Sequence, residues 1–225
     1  CLQDLIDSGY HGAIPDISRC PVSVVFRLRA IYMIAEAGIN QQKITFKDIQ
    51  PDLERTILDN PHDINLVHDY DVIPVLGFVI EELYNTDFGR CYLGTKTLVD
   101  TYPQEAPTAL LESYQQKGHN DYGAHYHILK TLGWLKYAPA YDLLIENLHN
   151  NAPQFQKSRT ACAIALGELG DPQAIPELKK CLDTKVWSLK YAVLMALEKL
   201  GDDSIKDIST DNQHWLIKEK VISNK

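Results

Sequence analysis

Apolar and small residues recur at helical spacing along most of the chain, and one short pattern is repeated near its end. Residues 165–171 read ALGELGD, and residues 196–202, 31 positions further on, read ALEKLGD. A second amphipathic segment follows the first copy from Pro172 onwards. A helix, a Gly-Asp turn and another helix, repeated at this period, are typical of an α-solenoid. The pattern therefore predicts an all-α superhelix of helical repeats.

Earlier repeats are found by reading backwards from the clear copies. Leu132 aligns with Leu166 and Leu98 aligns with Leu132, each at a spacing of 34 residues. Four repeats then extend from Asp87 to Ser204. We interpret the chain as one solenoid with three parts: irregular N-terminal repeats over 1–86, regular repeats over 87–205 and a polar C-terminal cap over 206–225.

The N-terminal third is less regular. Residues 25–38 predict a helix that ends at Gly38, and Thr45 is expected to cap the next helix. The polar connection between Asn60 and Asp71 contains no full helical pattern. Pro74 is expected in the first turn of a further helix, a position where proline is tolerated.

The repeated consensus positions have structural explanations. Gly170 and Gly201 are expected to end helices in the left-handed conformation, and the Asp that follows each is expected to cap the next helix. Small residues such as Ala163, Ala165 and Ala192 allow neighbouring helices to approach closely. These positions are therefore assigned no chemistry.

The charge balance narrows the range of partners. The chain has 225 residues, 30 acidic and 22 basic side chains, and a net charge of −8. Nucleic acids and anionic membranes attract clustered positive charge, so this balance disfavours both as partners and disfavours the solenoid glycosylases that act on DNA. No run of 18 apolar residues is present to span a membrane.

Five cysteines are widely spaced and form no CxxC motif, at Cys1, Cys20, Cys91, Cys162 and Cys181. This usage favours a reducing compartment, and we expect the protein in the cytoplasm. Because the chain begins at Cys1 and not at Met, we expect a truncated or processed product, with a missing N-terminal repeat as one option. Lipidation of Cys1 is the alternative.

The densest group of polar and aromatic residues lies between His119 and His127. It contains Asp121, Tyr122, His125 and Tyr126. Packing at the joints between repeats, binding of a ligand and binding of a metal are the three interpretations. Residues at positions i and i+2 of a helix point to different sides, so His125 and His127 cannot share an ion, and no HExxH motif occurs. We therefore predict no metal site.

Basic residues recur at one position of the repeats. Arg27, Arg159 and Lys190 share this position, which indicates a series of ion pairs with neighbouring carboxylates. Arg90 falls outside the series and is the better candidate for holding an anionic group. No nucleophile elbow, phosphate loop or dinucleotide-binding glycine motif occurs, so a hydrolase or kinase is disfavoured.

The stretch from Ala163 to Leu178, with its pattern AxALGELGDPxAIPxL, resembles the HEAT-like repeats of the E/F-type phycobilin lyases of cyanobacteria and red algae. Residues 181–192 look similar to the same family. The resemblance is clear from about residue 87 to 204 and implies a solenoid of HEAT-like repeats. It also implies an enzyme that attaches linear tetrapyrroles to phycobiliprotein cysteines. A His-Cys motif of the isomerising members is not found.

The resemblance implies catalysis by positioning, because the nucleophile belongs to the acceptor protein. On this basis Asp121, Tyr122 and His125 are the candidate catalytic residues, and the candidate bilin-binding residues are Arg90, Tyr126, Trp134 and Tyr141. The phycobilin is a substrate, and no tightly bound cofactor is expected. The expected partners are a phycobiliprotein subunit and a paralogous HEAT-repeat lyase subunit. The alternative is a non-enzymatic HEAT-repeat scaffold that docks on phycobilisomes or another complex.

Overall fold

The computed structural model describes residues 2–224, and every regular element in that range is helical. The predicted all-α solenoid class is confirmed. Thirteen α-helices are described: α1 (Leu2–Ser8), α2 (Ile14–Ser18), α3 (Val24–Asn40), α4 (Phe46–Leu58), α5 (Leu76–Glu82), α6 (Phe88–Thr101), α7 (Ala106–Ser113), α8 (Ala124–Trp134), α9 (Tyr141–Leu148), α10 (Gln156–Leu169), α11 (Ile175–Lys180), α12 (Trp187–Lys199) and α13 (Trp215–Ser223).

The first helices of successive repeats pack side by side, in the order α6, α8, α10, α12. Glycines make the closest of these approaches possible. A Cβ atom at Gly133 would lie 2.4 Å from the Cβ of Ala165, and one at Gly167 would lie 3.0 Å from the Cα of Ala196. Contacts this short leave no room for a side chain, so the spacing of the helices depends on these glycines.

The turns between the paired helices have the predicted chemistry. Gly170 and Gly201 both have a φ of 75°, in the left-handed region. Asp171 accepts a hydrogen bond from the backbone N–H of Gln173, and Asp202 accepts one from Ser204. Each Gly-Asp pair therefore ends one helix and caps the next turn, and this prediction is confirmed.

The predictions made from the sequence for the N-terminal third are confirmed in part. Thr45 forms a capping box with Asp48, as predicted for the start of α4. The predicted end of α3 at Gly38 is wrong: the helix continues to Asn40, and Gly38 instead makes room for the side chain of Ile44. The prediction for Pro74 is also wrong, since α5 begins after it at Leu76.

Only a 3-10 turn at Pro61–Asp63 interrupts the connection between α4 and α5, as the lack of a helical pattern predicted.

The N-terminal helices fold back against the C-terminal repeats, because α4 contacts both α10 and α12. Glu54 on α4 accepts hydrogen bonds from the Tyr191 hydroxyl and from Lys220 Nζ, each at 2.9 Å. Helix α13 buries Leu216, Ile217 and Val221. The division of the chain at residues 86 and 205 stays a prediction.

Candidate functional site

A carboxylate without solvent exposure lies at the point where α4 meets the repeats. Asp59 follows α4 directly and has the left-handed φ of 52°. Its side chain pairs with Arg27 and with Lys130, whose Nζ lies 2.9 Å from Oδ2. The hydroxyls of Tyr92 and Tyr126 also donate to it. All five side chains are at most 5% exposed, so Asp59 holds α3, α6 and α8 together around one buried charge.

The two cations keep this carboxylate ionised. Burial alone would raise the pKa of Asp59, but Lys130 and Arg27 outweigh burial and lower it. Burial and the Asp59 charge together raise the pKa values of Tyr92 and Tyr126 well above their usual value, so both tyrosines are hydrogen-bond donors at neutral pH. The network therefore holds two positive charges and one negative charge.

A pocket of about 620 Å³ opens beside this network between the start of α6 and the start of α8, and we call it the α6–α8 pocket. Phe26, Phe88 and Tyr122 supply aromatic surface, and His127 and Asp121 supply polar groups. His127 is 1% exposed, and neither of its ring nitrogens has a hydrogen-bond partner among the described residues. Burial holds the pKa of His127 well below its usual value, so the ring is neutral.

A second pocket of about 500 Å³, the α3–α12 pocket, lies between α3 and the first turns of α10 and α12. Its lining is mostly apolar and aromatic, with Tyr32, Tyr126 and Trp187 as its aromatic side chains. Arg29 and Lys157 are its charged side chains, and none of the described residues that line it is acidic.

Lys157 lines both pockets, together with Val25 and Gln156, so the two cavities adjoin. Its Nζ lies 5.2 Å from the ring centre of Tyr122 and 5.3 Å from that of Tyr126. No carboxylate lies within ion-pair distance of Lys157 in residues 2–224. Burial lowers its pKa. Each of the two adjoining pockets has a volume suited to an organic ligand, for which roughly 300 to 1,000 Å³ is usual.

Two of the predicted catalytic residues, Asp121 and Tyr122, line the α6–α8 pocket. Asp121 Oδ1 accepts hydrogen bonds from the backbone N–H groups of Gly123 and Ala124, at 2.9 and 2.7 Å, and so caps the start of α8. Tyr122 is 61% exposed at the mouth of the pocket. Their catalytic roles stay predictions.

The third predicted catalytic residue, His125, lines neither pocket. Its Nδ1 lies 2.8 Å from the Ser158 hydroxyl, its Nε2 lies 3.3 Å from the Tyr114 hydroxyl, and its ring stacks on Phe155 with 4.0 Å between ring centres. Burial lowers its pKa to about 4. This is the packing role between repeats that was one of the three interpretations of the sequence.

The predicted bilin-binding residues are dispersed. Tyr126 lines the α3–α12 pocket, whereas Trp134 lines only a small crevice next to Lys130. Arg90 binds Glu82 through two hydrogen bonds, of 2.6 and 3.0 Å, so its charge is already paired. Tyr141 is half-buried against the core of the repeats. The structure thus brings Tyr126 close to Tyr122 but places the other three elsewhere.

The predicted series of ion pairs is confirmed only at Arg27. Arg159 donates to the backbone carbonyl of Leu148, and Lys190 donates to the side-chain carbonyl of Gln213. Neither forms an ion pair within residues 2–224, because no carboxylate of a neighbouring helix reaches them. Equivalent positions in the repeats therefore have different partners.

Sequence reasoning did not assign a role to three residues that define the site: Asp59, His127 and Lys157. A signal for the buried network was available, since Tyr126 and Lys130 are four residues apart on one helix and must share a face. For Lys157 no such signal exists, because it lies in a polar turn of α10 and its neighbours come from α3 and α8.

Several other features bear on the chemistry of the site. Within the described part of the chain, no group of three His, Cys, Asp or Glu side chains is arranged to hold a metal. Cys91 lines the α6–α8 pocket, but burial raises its pKa to about 11, so it is a poor nucleophile at neutral pH. The described cysteines are all free thiols: Cys20, Cys91, Cys162 and Cys181. Cys1 lies outside the described residues.

Residues 2–224 include no helix with the length and apolar character needed to cross a membrane.

Comparison with known proteins agrees with this architecture. A model of HEAT repeats matches residues 152–223. A phycocyanin operon protein Y of Pseudanabaena tenuis (strain PCC 7409), itself uncharacterised, is 58% identical over 219 residues, which are 97% of this chain and 52% of that protein. The bilin biosynthesis protein CpeY of Synechococcus sp. (strain WH8020) is 32% identical over 210 residues, 89% of this chain and 50% of CpeY.

The chain thus spans about half the length of the curated relatives it matches. The alignment with the phycocyanin operon protein covers 97% of this chain and therefore includes both pockets. These matches confirm the resemblance drawn from the repeats: residues 152–223 match HEAT repeats, and the chain is similar to a bilin biosynthesis protein and to a phycocyanin operon protein.

Proposed function

We propose that the protein is a phycobiliprotein bilin lyase, or a subunit of one, that binds an open-chain tetrapyrrole in the two adjoining pockets and attaches it to a cysteine of a phycobiliprotein. The observation that supports this most is the combination of aromatic walls and unpaired cations around two adjoining pockets. An extended, conjugated molecule with acidic side groups suits such a surface. The relation to a bilin biosynthesis protein supports the same substrate class.

The reaction is an addition, and it needs no oxidant or reductant. The acceptor thiol adds across a carbon–carbon double bond on the outer edge of a terminal pyrrole ring. Sulfur forms a bond to one carbon, the π bond breaks, and a proton is delivered to the other carbon. The thiol loses one proton and the adduct gains one, so the step is balanced.

The protein contributes position and proton transfer in this scheme. Tyr122 lines the α6–α8 pocket and is 61% exposed, so its side chain is open to solvent beside the proposed bilin site. We assign it the delivery of the proton, with Asp121 holding the start of α8 and thereby the position of Tyr122. His127 lies in the wall of the α6–α8 pocket, with both ring nitrogens buried and without a hydrogen-bond partner among the described residues. Holding the two reactants together lowers the entropic part of the barrier.

Co-production with a bilin-synthesis pathway and a phycobiliprotein subunit tests the proposal. The acceptor is purified under denaturing conditions and examined by absorbance and zinc fluorescence, with an acceptor Cys→Ser variant as control. A covalent chromophore that depends on this chain and on the acceptor cysteine is expected. Because the curated relatives are about twice as long, the experiment is repeated with a paralogous HEAT-repeat subunit added. An acceptor that stays colourless in both arms contradicts lyase activity.

One observation favours the alternative, a non-enzymatic scaffold that docks on phycobilisomes. The connection between α4 and α5 exposes the apolar side chains of Val67, Val72, Ile73 and Val75, each by 60% or more. Exposed apolar patches often mark protein interfaces. A chain that binds the antenna but no bilin would support this function. For either function we propose a phycobiliprotein as the partner and the cytoplasm as the location.

A further inference from the structure

The α3–α12 pocket differs in charge from the rest of the protein. The whole chain has a net charge of −8, yet this pocket contains two cationic side chains, Arg29 and Lys157, and no acidic one among the described residues that line it. Neither cation forms an ion pair with any carboxylate described in the structure. Arg29 is exposed and Lys157 is half-buried, and two unpaired cations beside apolar surface favour a negative charge at this site.

The buried network around Asp59 lies next to the α3–α12 pocket and adds to the preference of this pocket for a negative charge. Tyr126 forms part of the pocket wall, and its hydroxyl donates to Asp59. Arg27 and Lys130 also pair with Asp59, which leaves the network with one excess positive charge. The Lys157 ammonium therefore has a second cationic centre close by; the charges of Asp121 and Asp59 act on it through space, but neither carboxylate forms an ion pair with it.

The lining on α3 is a continuous face of that helix. Val25, Leu28, Arg29, Tyr32 and Met33 lie at the i, i+3, i+4, i+7 and i+8 positions that share one side of a helix. Arg29 thus lies on the α3 side of the cavity and Lys157 on the α10 side, with apolar and aromatic surface between them. This arrangement suits a flat apolar molecule with carboxylates on its edge.

We propose that Arg29 and Lys157 form a carboxylate-binding subsite that holds the propionate groups of the tetrapyrrole in the α3–α12 pocket. This inference rests on the proposed function, because it specifies how the same ligand is bound. Arg90, the anion-binding candidate from sequence, is excluded from this task by its pairing with Glu82. The reactive ring of the ligand then extends past Lys157 into the α6–α8 pocket, towards Tyr122.

Binding of biliverdin and of biliverdin dimethyl ester to the purified chain tests the subsite. The two probes share the conjugated skeleton, but the ester lacks the negative charges. Since a hydrogen bond to an ionised group contributes more than a neutral one, we expect wild-type protein to bind biliverdin about tenfold more tightly than the ester. Lys157→Met and Arg29→Met should each reduce that preference, and the double variant should abolish it while leaving the ester affinity unchanged.

Matched variants separate charge from packing. Lys157→Arg keeps the charge and should keep the preference for the acid. Lys47→Met removes an exposed lysine that lines neither pocket, and should leave both affinities unchanged. Circular dichroism verifies that each variant is folded.

The possible failures are distinguishable. A double variant that still prefers biliverdin over its ester, by the wild-type factor, overturns the subsite but leaves the proposed function in place. Equal affinity of the wild-type protein for both probes would also overturn the subsite and leave the proposed function in place. Wild-type protein that binds neither probe overturns the proposed function, and the subsite with it.

Discussion

Lys130 and Asp59 are 71 positions apart in the chain and form an ion pair with 2.9 Å between Nζ and Oδ2, without solvent exposure on either side. The pair joins the end of α4 to the middle of α8. Because Arg27 and two tyrosines share the same carboxylate, Asp59 connects the N-terminal helices to α6 and α8. The position of α3 relative to α10, and hence the shape of the α3–α12 pocket, depends on this connection.

Asp59→Asn is expected to destabilise the protein severely. The amide keeps the size of the side chain and the tolerance of Asp and Asn for the left-handed backbone, so the change isolates the charge. It leaves Arg27 and Lys130 buried without a counter-charge, and breaking a buried ion pair in this way costs about 3 to 5 kcal/mol. Urea unfolding followed by circular dichroism measures the loss.

Asp63→Asn is the matched control, since Asp63 is exposed in the turn that follows and forms no ion pair in the described chain. Its effect should stay within about 0.5 kcal/mol. Equal stability of the two variants would contradict a structural role for the buried charge.

The sequence predicted the parts of the fold that are encoded locally. The helices of the repeats and the turns at Gly170 and Gly201 follow from apolar spacing and from the conformational preference of glycine. The end of α3 was misplaced because Gly38 has a packing role, which depends on Ile44 and not on the helix itself. A glycine in a sequence does not reveal which of these two roles it has.

The site was predictable only in part, for a related reason. Asp121 and Tyr122 stand out locally as polar and aromatic residues in one short segment, and both line a pocket. Arg29 and Lys157, by contrast, line one pocket because α4 packs against α10 and α12, and no pattern within α3 or α10 indicates this. The sequence placed His125 among the candidate catalytic residues because its local pattern is ambiguous. A buried histidine that hydrogen-bonds to neighbouring side chains has the same local sequence as one that faces a ligand.

Gly133→Ala tests the close approach of α8 and α10. The added methyl group would lie 2.4 Å from Ala165 Cβ, so the two helices must move apart. Such overpacking costs about 1 to 3 kcal/mol, which outweighs the gain of up to about 1 kcal/mol in helix propensity. The midpoint of thermal or urea unfolding records the difference.

Gly77→Ala in α5 is the comparison, because no atom lies within 4 Å of the added methyl group. That variant should be as stable as wild type or slightly more stable. If Gly133→Ala were equally neutral, the helix spacing would not depend on this glycine.

Tyr122→Phe tests the proton-donor role without disturbing the fold. The hydroxyl belongs to a side chain that is 61% exposed, so its removal should leave stability unchanged. Removal of a general acid is expected to slow bilin attachment about a hundredfold. The rate of covalent chromophore formation on the acceptor measures the effect. Tyr10→Phe, at a tyrosine that is 60% exposed and lines neither pocket, serves as control, and a rate unchanged by Tyr122→Phe would remove this residue from the mechanism.

His125 should make the stability of the protein depend on pH between about 4 and 6.5. The unfolded chain binds a proton on this histidine near its ordinary pKa of 6.5, whereas burial lowers the folded-state pKa to about 4. The unfolded state therefore holds more protons in this window, and stability falls as the pH falls through it. A displacement from 6.5 to about 4 corresponds to a full loss of about 3 kcal/mol, of which about 2 kcal/mol falls between pH 7 and pH 5. Urea unfolding at pH 7 and pH 5 measures the loss.

His125→Gln, which keeps hydrogen-bonding groups near Ser158 but cannot titrate, should be less stable than wild type at pH 7, and its stability should depend less on pH. An equal pH dependence in both proteins would assign the effect to other groups.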